Sequence, residues 1–286
     1  MKKITKIIIL ITIIINTSGC IKVDNMDNIK IYTTNYPSYY ITKKLYGKFS
    51  KVKSIYPAGV NIDEYSLTKK QIKDYSKVDL FIFNGLSKEK KYITKMRKNN
   101  KELKIIDTTL SMEYTNDINE LWLNPSNFLM MAQNIKKGFN EYIDSYYLNS
   151  KIDENYEKLK LDISNLDAKF QNVVDNATSK KIAVSSNMFK YLEKYGLTVY
   201  VLDENDSNID ITISEVKSLI KSGEIKYIFI KQEENEIIKN LKTLGEVETV
   251  TWNNLENLSE EQTSQNSDYL TLMNENLNLL KNELYN

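Results

Sequence analysis

The chain reads as an α/β protein built of two βα, Rossmann-like lobes with parallel sheets, joined by a long rigid helix. Three observations predict it. Short apolar runs alternate with amphipathic helical runs in both the first 110 residues and the last 110. Strands separated by helical stretches of about 10–15 residues are the mark of βαβ units and a parallel sheet. Between the two halves lies a proline-free stretch from Ser126 to about Val174 in which only Gly138 interrupts a helical pattern.

In order, Ile29 to Thr34 reads as a strand, followed by a helix through Tyr40 to Tyr46 and a second strand over Val52 to Ile55. A helix through Lys69 to Tyr75 precedes the apolar strand Leu80 to Phe83, which Asn84-Gly85 closes. Glu89 to Lys98 is helical and Leu103 to Ile106 is the fourth strand. In the middle, one helix ends near Tyr147 and another runs from about Asp153 to Asp175. Leu159, Leu161, Ile163, Leu166 and Phe170 recur there at helical spacing among acids and lysines. Its length and polarity mark it as a connector rather than a lobe helix. Alternation resumes with a strand at Lys181 to Ser185, a helix at Phe189 to Tyr195 and a strand at Leu197 to Leu202. Ile213 to Lys221 is a helix, Ile225 to Ile230 a strand, and Glu236 to Leu244 a helix ended by Gly245. Val247 to Trp252 is the last strand and Tyr269 to Leu284 the last helix. The expected divisions are residues 1–19, 20–28, 29–148, 149–177 and 178–286: a signal peptide, a tether, the first lobe, the connecting helix and the second lobe.

The first twenty residues place the rest. Lys2, Lys3 and Lys6 precede the aliphatic run Ile7 to Ile15, and Thr17-Ser18-Gly19-Cys20 follows. A basic start, a short apolar run and small residues make a secretory signal, and the run is about half the ~20 residues needed to span a bilayer. Cys20 is the only cysteine of 286 residues, at the point where the small residues end. The pattern resembles a bacterial lipoprotein box, which implies lipidation (palmitate or a related acyl chain) of Cys20 and a body anchored on the extracellular face of the cytoplasmic membrane. An ordinary signal peptide with a chance cysteine is the plainer alternative.

Composition excludes several functions. Removing residues 1–19 takes away three lysines and no acid, moving the formal charge from +1 to −2. No basic footprint for nucleic acid is left. The chain has no histidine, which removes Ser-His-Asp and Cys-His catalysis, and with no cysteine after Cys20 it removes the usual zinc ligands. No paired-carboxylate, Walker or GxGxxG pattern occurs, so an enzyme and an organic cofactor are not expected. The remaining body of about 265 residues is large enough for two lobes and is expected to be a monomer.

In open parallel sheets ligands sit beyond the carboxyl ends of the strands, which singles out the loops near Asn35, Pro57 to Tyr65, Gly85, Glu120 to Pro125, Ser185 to Phe189, Asp203 to Asp210 and Trp252 to Glu256. At these loops the sequence carries a run of recognisable motifs. Thr33-Thr34-Asn35-Tyr36-Pro37 is similar to one family's Thr-Thr-x-Tyr-Pro. Pro57-Ala58-Gly59-Val60 with Tyr65 and Thr68, then Asp79 to Gly85, is similar to its Pro-x-Gly-x-x-x-His-x-Tyr-x-x-Thr and Asp-Leu-x-x-x-Asn-Gly elements. Leu121 to Pro125 resembles its His-x-Trp-Leu-x-Pro, Phe189 to Leu197 its Phe-x-Tyr-Phe…Tyr-Gly-Leu, and Asn253 to Glu261 its Asn-Pro-Leu-Glu-Gly-Leu-Thr-Glu-Glu stretch. In these motifs the sequence resembles the zinc and manganese substrate-binding lipoproteins of bacterial ABC importers, some called adhesins. The resemblance implies two βα lobes bridged by one rigid helix, a metal ion as transported ligand and a membrane ABC permease as partner.

The family's metal ligands are histidines and acids from both lobes. The resemblance carries these positions onto Asp63, Glu120, Ser186 (or Asn187, given a one-residue deletion) and Glu256 (or Asn253). Imidazole suits zinc, whereas oxygen ligands suit manganese, magnesium and calcium, so Asp63, Glu120, Glu256 and the Ser186 hydroxyl point to manganese ahead of zinc. Carboxylates gathered in a cleft repel one another and raise each other's pKa unless a cation offsets them. The alternatives stay open: surface acids with Glu120 as a helix cap, and an adhesin or binding lipoprotein that has lost the metal or takes another small ligand. Tyr36, Tyr39 and Tyr40 are either packing residues or the lining for an organic ligand. Trp122 and Trp252 read as packing beside the cleft, and Lys88 to Lys101 as a solvated helix face or a contact to anionic lipid.

Overall fold

The computed structural model describes residues 28–245 and 247–285; the signal run and Cys20 lie outside the described residues. Two four-stranded parallel sheets form. The first is made of β1 (Ile29–Thr33), β2 (Ser50–Ser54), β3 (Leu80–Phe83) and β4 (Lys104–Asp107), in the order β2-β1-β3-β4. The second repeats that order, β6-β5-β7-β8, with β5 (Lys181–Val184), β6 (Thr198–Val201), β7 (Tyr227–Ile230) and β8 (Glu248–Thr251). Parallel strands need crossover connections on the sheet faces. In the first lobe these are α1 (Tyr36–Tyr46), α2 (Lys69–Tyr75) and α3 (Lys90–Asn99), and in the second a 3-10 helix over Asn187–Tyr195, α7 (Ile209–Lys221) and α8 (Glu236–Lys242). Between the sheets run α4 (Glu120–Leu123), α5 (Pro125–Tyr142) and α6 (Tyr146–Asp175), and α9 (Glu260–Ser264) and α10 (Tyr269–Leu284) close the chain.

Both faces of each sheet are covered, which explains why β3 and β7 are apolar throughout rather than alternating. Side chains alternate across the sheet plane: Leu80 and Ile82 enter the main core, while Phe81 and Phe83 join an outer cluster with Tyr92 and Met96. The second lobe follows the same rule, with Phe229 in the main core and Ile228 and Ile230 in its outer cluster.

Helix α6 begins at Tyr146, where the Ser145 side chain accepts from the Leu148 N–H, some seven residues before the expected start at Asp153. The residues between carry polar side chains on a solvent face, which hid the periodicity; Tyr146 is 88% exposed. The helix is more than a strut. Leu148, Ile152, Tyr156, Leu159, Ile163, Leu166 and Phe170 are buried, whereas Leu161 points to solvent. Its first half is tied to the first lobe by Asn155 Nδ2 donating to Leu45 O (2.9 Å) and by the Lys136–Asp153 ion pair (2.8 Å). Its second half meets the other lobe, where Phe170 stacks on Tyr195 at 5.5 Å. Two short helices, α4 and α9, are too brief to show a period in sequence.

Gly138 does not interrupt α5. A Cβ there would stand 2.5 Å from Ile106 Cγ1, so the glycine lets α5 lie close against β4. Gly138→Ala should therefore lower stability by about 1–3 kcal/mol through overpacking, and by much less when Ile106 is also Ala, as read from denaturant midpoints. Glu283 provides a second check. Its carboxylate accepts from the N–H groups of Lys226 and Tyr227 (3.0 Å to the latter), and burial pushes it up to about 7 despite those bonds. The folded protein then holds a proton that the unfolded chain has lost between about 4.5 and 7, so stability falls as pH rises through that window. Glu283→Gln should flatten the fall in Tm between pH 4.5 and 8.

Candidate functional site

In a sheet ordered β2-β1-β3-β4, crossovers leave β1 and β3 in opposite directions, and the loops after them part to leave a crevice. Those loops are Thr34-Asn35 and Asn84 to Glu89. Together with Ile62, Asp63, Ile118, Trp122 and, from the second lobe, Glu256, they line an interlobe pocket of about 140 Å³. A neighbouring opening of about 290 Å³ shares Ile62 and Glu256 with it and carries Lys231.

Glu256 is delivered by a segment, residues 253–259, that belongs in sequence to the second lobe but is bonded into the first. Trp122 Nε1 donates to Asn254 O (2.7 Å), the Tyr36 N–H at the start of α1 donates to Glu256 O (3.0 Å), and the Gly59 N–H donates to Leu258 O (2.8 Å). Asn257 Nδ2 reaches Pro57 O (2.8 Å) and Val60 O (3.1 Å). On the other side, buried Asn276 clamps Asn253, accepting from its N–H (2.9 Å) and donating to its carbonyl (2.9 Å). Between these anchors Leu255 sits at φ 58°, in the left-handed region that a bulky residue adopts only when its surroundings impose it. Burial pushes the Glu256 carboxyl up to about 7; Lys231 draws it back, and Asp63, Glu89 and Asp117 add to the rise.

The residues singled out from sequence fall as follows. Asp63 is exposed at the pocket rim, and Glu256 faces the same pocket from the other lobe. Glu120 is 9% exposed and its Oε2 accepts from the N–H groups of Thr115 (3.1 Å), Asn116 (2.8 Å) and Asp117 (3.4 Å), so it braces its own preceding turn and does not line the pocket. Ser186 follows β5 with a buried hydroxyl that finds no partner in the protein. Asn187 opens the 3-10 helix, and Asn253 is engaged by Gln262 (2.7 Å) and Glu275 (3.2 Å). Among the described residues no three acidic side chains are gathered so as to hold a metal ion. The pocket thus brings Asp63 and Glu256 together across the lobes but leaves Glu120 occupied elsewhere.

Three pocket residues escaped the sequence reading. Glu89 is 2% exposed and accepts from the hydroxyls of Tyr56 and Ser87; burial and then this carboxylate hold the Tyr56 phenol protonated. Asn84 keeps Oδ1 for the Leu86 N–H and the Thr109 hydroxyl, leaving its buried Nδ2 without a partner. Lys88 is not on a solvated helix face, as the lysine-rich run suggested, but turns to the loop that carries Asp63. The signal that points to all three is their place in the loop that follows β3, which Asn84-Gly85 opens.

The profile of the periplasmic zinc-uptake complex component A family, ZnuA, matches residues 31–283. The chain belongs to this family. Zinc-binding lipoprotein AdcA of Streptococcus pneumoniae is 25% identical over 281 residues, covering 88% of this chain and 55% of AdcA, so the chain spans about half of that relative's length. The manganese ABC transporter substrate-binding lipoprotein PsaA of the same species is 26% identical over 245 residues, covering 77% of this chain and 78% of PsaA. The crystal structure of the Zn(II)-bound ZnuA-like domain of Streptococcus pneumoniae AdcA superposes with TM-score 0.71 at 23% identity, covering 91% of this chain and 100% of that one. The metal-dependent lipoprotein YcdH of Bacillus subtilis superposes with TM-score 0.73 at 21% identity, covering 90% and 99%. These likenesses establish the two-lobed fold. PsaA and FimA of Streptococcus parasanguinis are named as substrate-binding lipoproteins rather than enzymes, in keeping with a ZnuA-family chain that lacks a catalytic pattern.

Tyr36, Tyr39, Tyr40 and Tyr56 line a separate groove of about 590 Å³ with Lys43 and Lys44 at its edge. Tyr36 and Tyr40 are largely buried, and Tyr40 packs on Tyr269 at 5.6 Å, so part of this cluster is interlobe core. Trp122 and Trp252, each 1% exposed, are packing residues beside the cleft, as expected.

Asn276→Ala would leave the main-chain N–H and carbonyl of Asn253 unsatisfied. It should cost about 2–4 kcal/mol and raise amide hydrogen exchange over residues 253–258 more than in either sheet.

Proposed function

We propose that this chain is the lipid-anchored substrate-binding subunit of an ABC importer, tethered through Cys20 on the extracellular face of the cytoplasmic membrane. Its cargo is a divalent metal ion, manganese in preference to zinc, held in the interlobe cleft and handed to a permease. One observation carries the reading: Asp63 from the first lobe and Glu256 from the second face one small pocket in a chain that has no histidine and no cysteine beyond Cys20. A site with oxygen ligands alone favours a hard cation over zinc. Ser186 keeps an unpartnered buried hydroxyl at the carboxyl end of β5 but lines neither opening of the cleft, so the reading rests on the two carboxylates. Glu120 supports the Thr115–Asp117 turn in the first lobe rather than the ion itself. The names of AdcA and PsaA support the cargo class, one zinc and the other manganese.

Offering manganese, zinc and iron together to the metal-free mature protein, with bound metal then counted and Tm recorded, tests this. Manganese should be retained and raise Tm most; zinc raising it more would overturn the metal preference, and no shift with any ion would overturn the reading. Asp63→Asn and Glu256→Gln should each weaken manganese binding at least about tenfold. A proton competes for Glu256 below about 7, so affinity should rise with pH up to that point and level off above it, an increase that Glu256→Gln removes.

A further inference from the structure

Lys88 occupies the turn between β3 and α3, and all three N–H bonds of its ammonium are spent on one loop. It donates to the main-chain carbonyls of Ile62, Asp63 (2.7 Å) and Tyr65 (3.0 Å). An ammonium has three donors and no more. Three carbonyl oxygens converging on one point turn the negative ends of their dipoles toward each other, an arrangement that holds when a cation lies at the focus. The first part of the loop is held from the second lobe, where Asn257 Nδ2 donates to Pro57 O and Val60 O and Leu258 O accepts from the Gly59 N–H. Residues 55–68 contain neither helix nor strand, and the turn around Asp63 rests on the Asn61 side chain accepting from the Asp63 N–H (3.0 Å) and on Tyr65 N–H donating to Asn61 O (3.1 Å).

The base from which Lys88 reaches is rigid. The next residue, Glu89, is buried and bonded to two hydroxyls, and Tyr92 on α3 accepts from the Leu67 N–H (3.2 Å) at the loop's far end. The loop is thus fastened to the β3–α3 turn and to α3 at three places, Tyr56 to Glu89, residues 62–65 to Lys88 and Leu67 to Tyr92, and the Lys88 contact is the one that frames Asp63.

We propose that Lys88 is a resident cation. Its ammonium fills a carbonyl cradle in the loop of residues 62–65, keeps that cradle closed to free ions, and positions Asp63 at the cleft rim before any cargo arrives. A tethered ammonium reaches the cradle as an intramolecular group, so the loop is ordered without drawing a cation from the medium. Lys88 is a positioning residue: it touches the main chain of the loop and acts on cargo through Asp63. Only that last step rests on the metal-cargo reading.

The test uses the mature protein, metal-free, with Lys88→Ala and Lys88→Met. Hydrogen exchange of amides 61–66 should quicken about tenfold or more in both variants while the sheets keep their protection. Ammonium or potassium chloride should restore protection in Lys88→Ala, where the cradle is open, whereas choline chloride at the same ionic strength, too large to enter, should not. Unchanged exchange in both variants would overturn the proposal, as would restoration by choline equal to that by ammonium. Manganese affinity should fall about tenfold in Lys88→Ala and be partly recovered by ammonium, with no further fall when Asp63→Asn is already present; equal losses with and without Asp63 would overturn the positioning role. If the wild-type protein takes up no divalent ion, the cargo reading fails, and the exchange measurement still decides whether Lys88 is the cation of its loop.

Discussion

The cleft depends on a piece of main chain that crosses from one lobe to the other. Residues 253–259 leave β8 in the second lobe and are then hydrogen-bonded to the start of α1, to the Pro57–Val60 loop and to Trp122, all in the first. Main-chain groups buried at such a junction must find partners, and here each lobe supplies them to the other. The lobes are therefore tied at the same segment that presents Glu256. Leu255 at positive φ is a local cost of that crossing, held in place by its own burial and by the Asn276 clamp on Asn253.

A second set of contacts makes the tie stiff. Phe128 of α5 stacks on Tyr269 of α10 at 4.1 Å, and the Tyr269 hydroxyl donates to Trp122 O at 2.6 Å. With α6 packed on both lobes, the main core runs without a break from one sheet to the other. Close-packed interiors transmit displacement instead of absorbing it, so the spacing of Asp63 and Glu256 is set by the whole body.

The chemistry of the cleft follows from how its charges are held. Three acids line the pocket, Asp63, Glu89 and Glu256, but Glu89 is bonded to two hydroxyls and nearby Glu120 to three main-chain N–H groups, which leaves Asp63 and Glu256 as the lining acids outside such bonds. Two lysines answer them. Lys231 acts on Glu256 directly, while Lys88 spends its charge on main-chain oxygens. An acid already bonded to fixed donors is a poor recruit for an ion, because its hydrogen bonds must be broken first.

Strand and helix order was legible because it is written in local period: the apolar runs Leu80 to Phe83 and Tyr227 to Ile230, and the caps and glycines between them, need no knowledge of distant residues. The same holds for the β1-to-α1 motif and the Asn253 to Glu261 motif through which the family resemblance was read, since each is a short continuous stretch at the end of a strand. What the chain alone determined was two parallel lobes, a bridging helix, and the absence of imidazole and thiol from any site after Cys20. Only the tertiary structure decided that Glu120 turns to its own loop, that Gly138 serves a close helix–sheet contact, and that Lys88 leaves a lysine-rich run to enter a carbonyl cradle. The physical reason is common to the three. A side chain's partner is fixed by which backbone groups distant segments bring within about 3 Å, and such proximity has no period that a linear sequence could display.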